Sequence, residues 1–300
     1  MSESVMLRQQ LRDSINADIA ARAAAHQSRI AALSSGRERL LAAGAPAASA
    51  PLVMLSQGDS WFDYPLYGNG PLPANTDIIA QLKTMGTVNP VILNIAHFGE
   101  ATTDEMSLPK QQEMIAQLQD PANWLTNGRP DAILFSGGGN DIAGEQFCIY
   151  LDDNTPGSTG IDAARFEGAL ASIKASYLDL FAFRDRYAKG VPIFGHCYDF
   201  PIPNGVHPIC AGPWLQPSLD FAGWTDVGQG AQIVRGAMIE FRTMLYNLAI
   251  DPNNNFVMVE TQGLLEPSDW ANELHPQPGG FKTIASAFVT ALRTRFNGRI

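Results

Sequence analysis

Val53-Met54-Leu55-Ser56-Gln57-Gly58-Asp59-Ser60-Trp61 is a short apolar run that stops abruptly at Gly-Asp-Ser. The pattern reads as a buried strand whose end delivers one serine hydroxyl onto a tight turn. Four later apolar runs also end in Gly, Asn or His, and their ends are expected to serve Ser60.

The runs give five strand candidates, at residues 52–56, 91–96, 131–136, 191–195 and 256–260. They are short, rich in branched residues and mostly continuous rather than alternating. Strands buried on both faces of a parallel sheet have this pattern. Helical patterns lie between and after them, at 76–85, 111–119, 162–188, 227–249 and 279–296. The one at 162–188 opens at Asp162, closes at Lys189-Gly190 and sets Phe166, Leu170, Ile173, Tyr177 and Leu180 on one face. Alternating strands and helices predict a layered α/β fold with right-handed crossovers. In such sheets ligands gather beyond the carboxyl ends of the strands.

Upstream, residues 5 to about 43 read as one long helix, with Leu7, Leu11, Ile15, Ile19, Ala23, Ile30 and Leu33 in a single apolar stripe. Such a stripe must lie on something. It packs across the rest of the chain or makes the contact of a homo-oligomer. Residues 1–44 are therefore set apart as an N-terminal amphipathic helix, and 45–300 as the main domain, with Gly44 to Pro51 as a linker. Residues 199–226 carry five prolines, Trp214 and Trp224 without periodicity. An irregular stretch this long is usually functional or disordered. Its aromatics argue against disorder, so it reads as the wall or lid of a pocket.

At 300 residues the chain can bury a large core. Its 45% hydrophobic and 17% charged residues are those of an ordinary globular protein. The net charge of -10 argues against nucleic acid or an anionic membrane as the main partner. No apolar run approaches the roughly 20 residues of a membrane helix. Met1 to Ala20 has no signal-peptide core, which points to a cytoplasmic location. The odd count of three cysteines, Cys148, Cys197 and Cys210, fits a reduced compartment. A Cys197–Cys210 bridge across a loop is the competing reading.

Just past the strand candidates stand Gly58-Asp59-Ser60, His97-Phe98-Gly99-Glu100, Gly137-Gly138-Gly139-Asn140-Asp141 and His196-Cys197-Tyr198-Asp199, and after the last comes Ser268-Asp269-Trp270-Ala271-Asn272-Glu273-Leu274-His275-Pro276. Acyl transfer needs a nucleophile, a base and donors for the oxygen that becomes negative. Serine is inert alone, and histidine titrates near neutrality. Backbone N–H groups at glycines and an asparagine amide suit the oxyanion. The histidines and Cys197 show neither His-Glu-x-x-His nor paired-cysteine spacing, so no metal is expected. Gly-x-Ser-x-Gly does not occur, which weighs against an α/β-hydrolase nucleophile elbow. A turn serine, a plain glycine loop and a structural histidine are the competing readings of single blocks. Trp61, Phe62 and Tyr64 are core packing or pocket wall.

Gly58-Asp59-Ser60, Gly99, Gly138-Gly139-Asn140-Asp141 and His275 in Glu-Leu-His-Pro together resemble the four-block signature of the SGNH (GDSL-type) hydrolases, in that family's order. The resemblance implies a three-layer α/β/α, flavodoxin-like fold with a mostly parallel five-stranded sheet, and hydrolysis of carboxylic esters without a cofactor. It implies Ser60 as nucleophile and His275 as base, with the Ser60 N–H, the Gly99 N–H and the Asn140 side chain as oxyanion hole. Asp59 and Asp141 would brace the site. One position departs from the pattern: the aspartate three residues before the histidine is Asn272. Asn272, by side chain or carbonyl, or Asp269 then orients His275. The competing functions are a carbohydrate deacetylase, an acyl-thioesterase, or a catalytically weakened binding or assembly protein.

Overall fold

In the computed structural model, which describes residues 3–42, 50–64, 76–125, 128–207, 212–297 and 299–300, all five apolar runs are strands. They are β1 (Val53–Gly58), β2 (Val91–Asn94), β3 (Ala132–Ser136), β4 (Ile193–His196) and β5 (Phe256–Val259). Every pairing is parallel, in the order β2-β1-β3-β4-β5. That is the flavodoxin-like order, whose switch point lies between β1 and β3. The register sets Gly58 opposite Ser136 and His196 opposite Val259, so the carboxyl ends share one rim.

The helices are α1 (Glu3–Ala42), α2 (Ile78–Leu82), α3 (Thr102–Glu105), α4 (Leu108–Gln119), α5 (Gly139–Ile142), α6 (Ala163–Tyr187), α7 (Gln216–Phe221), α8 (Val227–Ala249) and α9 (Pro278–Arg295). The side chains of Asp77, Asp162 and Asp226 cap α2, α6 and α8. α4 starts three residues before its apolar pattern does, with Pro109 near its start, where a missing N–H costs nothing. The one- and two-turn helices α3, α5 and α7 are too short to show a period, and sequence reading passes over them.

Strand alternation separates the layers. Phe135 points toward α6, where its ring meets Tyr177 at 5.1 Å. Phe194 points the other way, to Phe296 at the end of α9. α6 and α8 pack together on one face, α2 and α9 on the other.

Ile19, Ala23 and Ile30 of α1 are buried, with Ile15 and Leu33 half-buried behind them. This part of the stripe packs against the edge strand β2 and the short turn at Pro121–Asn123. A covered edge cannot pair with another chain's strand. The side chains of Leu7 and Leu11, most of the linker and Cys210 lie outside the described residues. Cys197 is a free, buried thiol next to the Thr261 hydroxyl. No helix among the described residues is long and apolar enough to cross a membrane.

Gly58 fixes how closely β1 and β3 approach at this rim. A Cβ there would stand 2.5 Å from the Ser136 carbonyl oxygen, the same oxygen that accepts the Asp59 N–H at 3.0 Å. Gly58→Ala is therefore expected to cost about 2–4 kcal/mol, read from the urea midpoint. An unchanged midpoint would contradict this close approach.

Candidate active site

Ser60 sits one turn beyond β1, and Phe62 N–H and Asp63 N–H both return to the Asp59 carbonyl at 3.0 and 3.1 Å. The hydroxyl is thereby held at the rim between β1 and β3. His275 lies 215 residues later, and its Nε2 is 2.7 Å from Ser60 Oγ. Its Nδ1 is 3.1 Å from Asn272 Oδ1. That oxygen also accepts the Leu274 N–H at 3.0 Å and the His275 N–H at 2.8 Å. Two backbone donors can face only the oxygen of the amide, so its orientation is fixed. The Asn272 Nδ2 donates to the Tyr64 hydroxyl at 3.0 Å. With Nδ1–H spent on Asn272, Nε2 presents its lone pair to the serine O–H.

Asn272 thus meets His275 with its side chain. Asp269 does not reach the ring. Its carboxylate accepts the Glu266 N–H at 2.9 Å, and its carbonyl accepts the Gln277 N–H. A short turn with its own N–H groups to satisfy takes up this aspartate locally.

The His275 ring is buried between Tyr64, with centroids 4.4 Å apart, and Trp214, at 5.4 Å. Burial pushes its pKa down to about 3. The imidazole is neutral at rest, as a base must be. Trp61 ties the two segments together, donating its indole N–H to the Leu274 carbonyl at 3.1 Å. It serves both of its predicted roles, buried in the core and lining the cleft.

Asn140 lines the same cleft as Ser60 and His275. Its Nδ2 donates to the Glu100 carbonyl at 2.9 Å, which joins the turn after β3 to the turn after β2. Gly99 stands in that second turn with φ +78° and nothing within 4 Å on its Cβ side, and it is not among the residues lining the cleft. Neither the Ser60 N–H nor the Gly99 N–H donates a hydrogen bond among the described residues. Gly138 makes the turn with φ +116°, and a Cβ there would strike the Phe241 ring at 2.4 Å.

Behind the cleft Asp59, expected to brace the site, sits in a polar network whose partners sequence reading did not assign. Asp59 is buried and accepts from Trp61 N–H at 3.0 Å, Ser136 Oγ at 2.7 Å and the Tyr198 hydroxyl at 2.5 Å. Tyr198 in turn accepts the Gly139 N–H at 3.0 Å. Ser136 Oγ is 2.8 Å from His196 Nε2, and His196 Nδ1 accepts the Tyr198 N–H. Burial pushes Asp59 up to about 6, against the pull of these donors, and His196 down to about 3. The network joins the ends of β1, β3 and β4. Asp141 accepts the N–H and hydroxyl of Thr102 at 2.9 and 2.8 Å, fixing the start of α3. His97 stacks on Phe98 and is not part of this network. Among the described residues no group of three or more His, Cys, Asp or Glu is arranged to hold a metal ion.

Glu273 holds the cleft wall. It is fully buried, and its two oxygens accept the N–H groups of Gly205, Trp214, Leu215 and Gln216. Pro201 and Leu215 of the 199–226 stretch line the cleft. The available signal was a carboxylate beside Leu274 and His275 in a buried block. Glu273→Gln keeps the shape but turns one accepting oxygen into a donor facing two N–H groups. A loss on the order of 2–4 kcal/mol in urea unfolding is expected. A midpoint equal to that of the parent would show that the wall is held by other contacts.

Comparison with models of protein families and with curated proteins gives no match. Among solved structures, the chain is similar to a lipase from a goat rumen metagenome, at 13% identity over 80% of this chain and 97% of that one, with a TM-score of 0.52. It is also similar to an extracellular lipase from Streptomyces rimosus, at 15% identity over 79% and 98% of the two chains, with a TM-score of 0.49. A phospholipase A1 from Streptomyces albidoflavus gives 13% identity over 80% and 99%, with a TM-score of 0.49. At such identities the likeness to the rumen lipase is one of fold. With its parallel sheet in the order β2-β1-β3-β4-β5 and helices on both faces, the chain has the three-layer α/β/α fold of the SGNH-type hydrolases.

Proposed function

We infer that the chain is a serine hydrolase that cleaves carboxylic esters through an acyl-enzyme. The observation that carries this reading is the 2.7 Å contact of Ser60 Oγ with His275 Nε2, in the tautomer that accepts a proton. Ser60 Oγ attacks the ester carbonyl carbon as its proton passes to Nε2. The carbonyl oxygen becomes negative and is met by the Ser60 N–H, the Gly99 N–H and the Asn140 side chain. Two of these donors are unspent in the resting site. Each donor of this kind is typically worth about a hundred- to a thousandfold in rate. The intermediate collapses, the C–O bond to the alcohol breaks, and the alcohol leaves with the proton from Nε2. Water then repeats the route and releases the acid.

Asn272 orients the ring but adds no negative charge. The imidazolium that forms during turnover is stabilised less than it would be beside a carboxylate. The cleft is narrow, about 40 Å³, with Ile142, Phe147, Val234, Ala237 and Met238 among its walls. These walls favour an apolar acyl group on the carbonyl carbon. An apolar acyl chain suits a simple ester or a thioester alike, and hydrolysis of matched acyl esters and acyl thioesters separates the two.

Ser60→Ala is expected to leave the unfolding midpoint near that of the parent and to lower turnover of a nitrophenyl ester by on the order of a millionfold, the cost of removing a serine nucleophile elsewhere. A variant that keeps its rate would end this reading, and a parent without ester turnover would favour a binding protein.

A further inference from the structure

On a chain of net charge -10, one cavity gathers cations. It lies between α1 and the α2–β2 region, opens to solvent, offers about 270 Å³, and is lined in part by Arg22, His26, Arg29, Lys83, Ile92 and Asn94. It shares no lining residue with the cleft around Ser60.

Four positive or protonatable groups meet here, and one is already satisfied. The Arg22 guanidinium pairs with Asp18 and Asp63 and donates to the Ala96 carbonyl. The other three are not. Among the described residues, the side chains of half-buried Lys83 and exposed Arg29 make no hydrogen bond and no ion pair. His26 is only 6% exposed, and its Nε2 is 2.8 Å from the Asn123 carbonyl oxygen. A carbonyl only accepts, so Nε2 carries the hydrogen. The buried Nδ1 has no partner among the described residues. A buried polar atom left unpaired costs roughly 1–3 kcal/mol, which makes such an atom rare without a reason.

Like charges add to the strain. Burial lowers the pKa of Lys83, and Arg22 and Arg29 add to this against the pull of Asp77 and Asp63. Burial also lowers that of His26, with Lys83 and Arg29 acting the same way. The acids nearby offset part of this, Asp77 most of all. Asp18 and Asp63 are held by Arg22, and Asp77 caps α2 through the Ala80 N–H with a pKa pushed up to about 7 by burial. An anion between Lys83, Arg29 and His26 would reverse each of these effects. It would pair two cations and favour a second proton on His26.

We propose that this cavity is a binding site for a phosphoryl-type oxyanion, held by Lys83 and Arg29 with the His26 ring beside it. The space greatly exceeds the ~15 Å³ that one ordered water requires. Ligands from α1 and from the end of α2 would make the bound anion a clasp between the N-terminal helix and the sheet.

Calorimetric titration with inorganic phosphate at pH 7, against chloride at equal ionic strength, is the test. One phosphate per chain is expected. Lys83→Met and Arg29→Ala should each weaken it at least about tenfold, the loss of one charge-assisted hydrogen bond. Both variants should keep the parent's ester turnover. Sulfate does not titrate at neutral pH. Its binding in buffers of different ionisation heat should show proton uptake that His26→Gln abolishes. Methyl phosphate distinguishes the sources: binding equal to phosphate assigns the site to a phosphate ester, and exclusion assigns it to the free ion. No heat beyond that of chloride, or binding unchanged in both Lys83→Met and Arg29→Ala, would overturn the proposal.

Discussion

The amide oxygen of Asn272 collects three N–H donors, two from the backbone and one from the His275 ring. Through them it sets the turn that carries His275, the plane of the imidazole and the nitrogen that holds the hydrogen. Ser60 faces a proton acceptor only because that choice has been made. A neutral amide does this work without bringing a charge into a pocket walled by Tyr64 and Trp214. Burying a lone carboxylate there would cost far more than burying an amide. In exchange, the site lacks the anion that would hold the histidine's pKa up, and burial alone governs it.

Three other devices keep this arrangement rigid. Asp59, Ser136, Tyr198 and His196 bind the ends of β1, β3 and β4 from beneath. Asn140 pins the turn after β3 to that after β2 through the Glu100 carbonyl. Glu273 fastens the loop that closes the cleft to the segment carrying His275. Asp59 and Glu273 are buried polar groups with several partners, the condition under which such groups order a structure rather than weaken it. A parallel sheet brings these residues to one rim because every strand ends on the same side.

The sheet was legible in the sequence because buried parallel strands are written as continuous apolar runs, and those of β1 to β5 are mostly continuous. Ser60, Asn140 and His275 were legible because they stand just past such runs or in a recognisable block. Their meeting across 215 residues was an inference about topology, and the structure brings Ser60 and His275 together. The sequence favours Asn272 over Asp269 but does not separate them cleanly, since a carboxylate six residues away and an amide three away differ only in how the intervening turn folds. Tyr198 and Glu273 went unassigned for a related reason. Their roles come from hydrogen bonds to backbone N–H groups of distant loops, and backbone positions carry no residue signature. The cationic cavity was invisible as well. Arg29 and Lys83 meet only once α1 is laid against β2.

The most direct measurement is the rate at which a fluorophosphonate modifies the protein as a function of pH, with the adduct located by mass spectrometry, in the parent and in Asn272→Asp. Nucleophile and base are then read without knowledge of the substrate. His275 is pushed down, so the neutral base persists as pH falls below the ordinary histidine value of about 6.5. The expected result is one adduct, on Ser60, formed at a rate that stays flat from neutrality to well below that pH. In Asn272→Asp the acidic limb should move up by about 1–3 pH units, as a carboxylate within hydrogen-bond reach favours the imidazolium. No adduct on Ser60, or a parent limb at or above pH 6.5 that Asn272→Asp leaves in place, would contradict it.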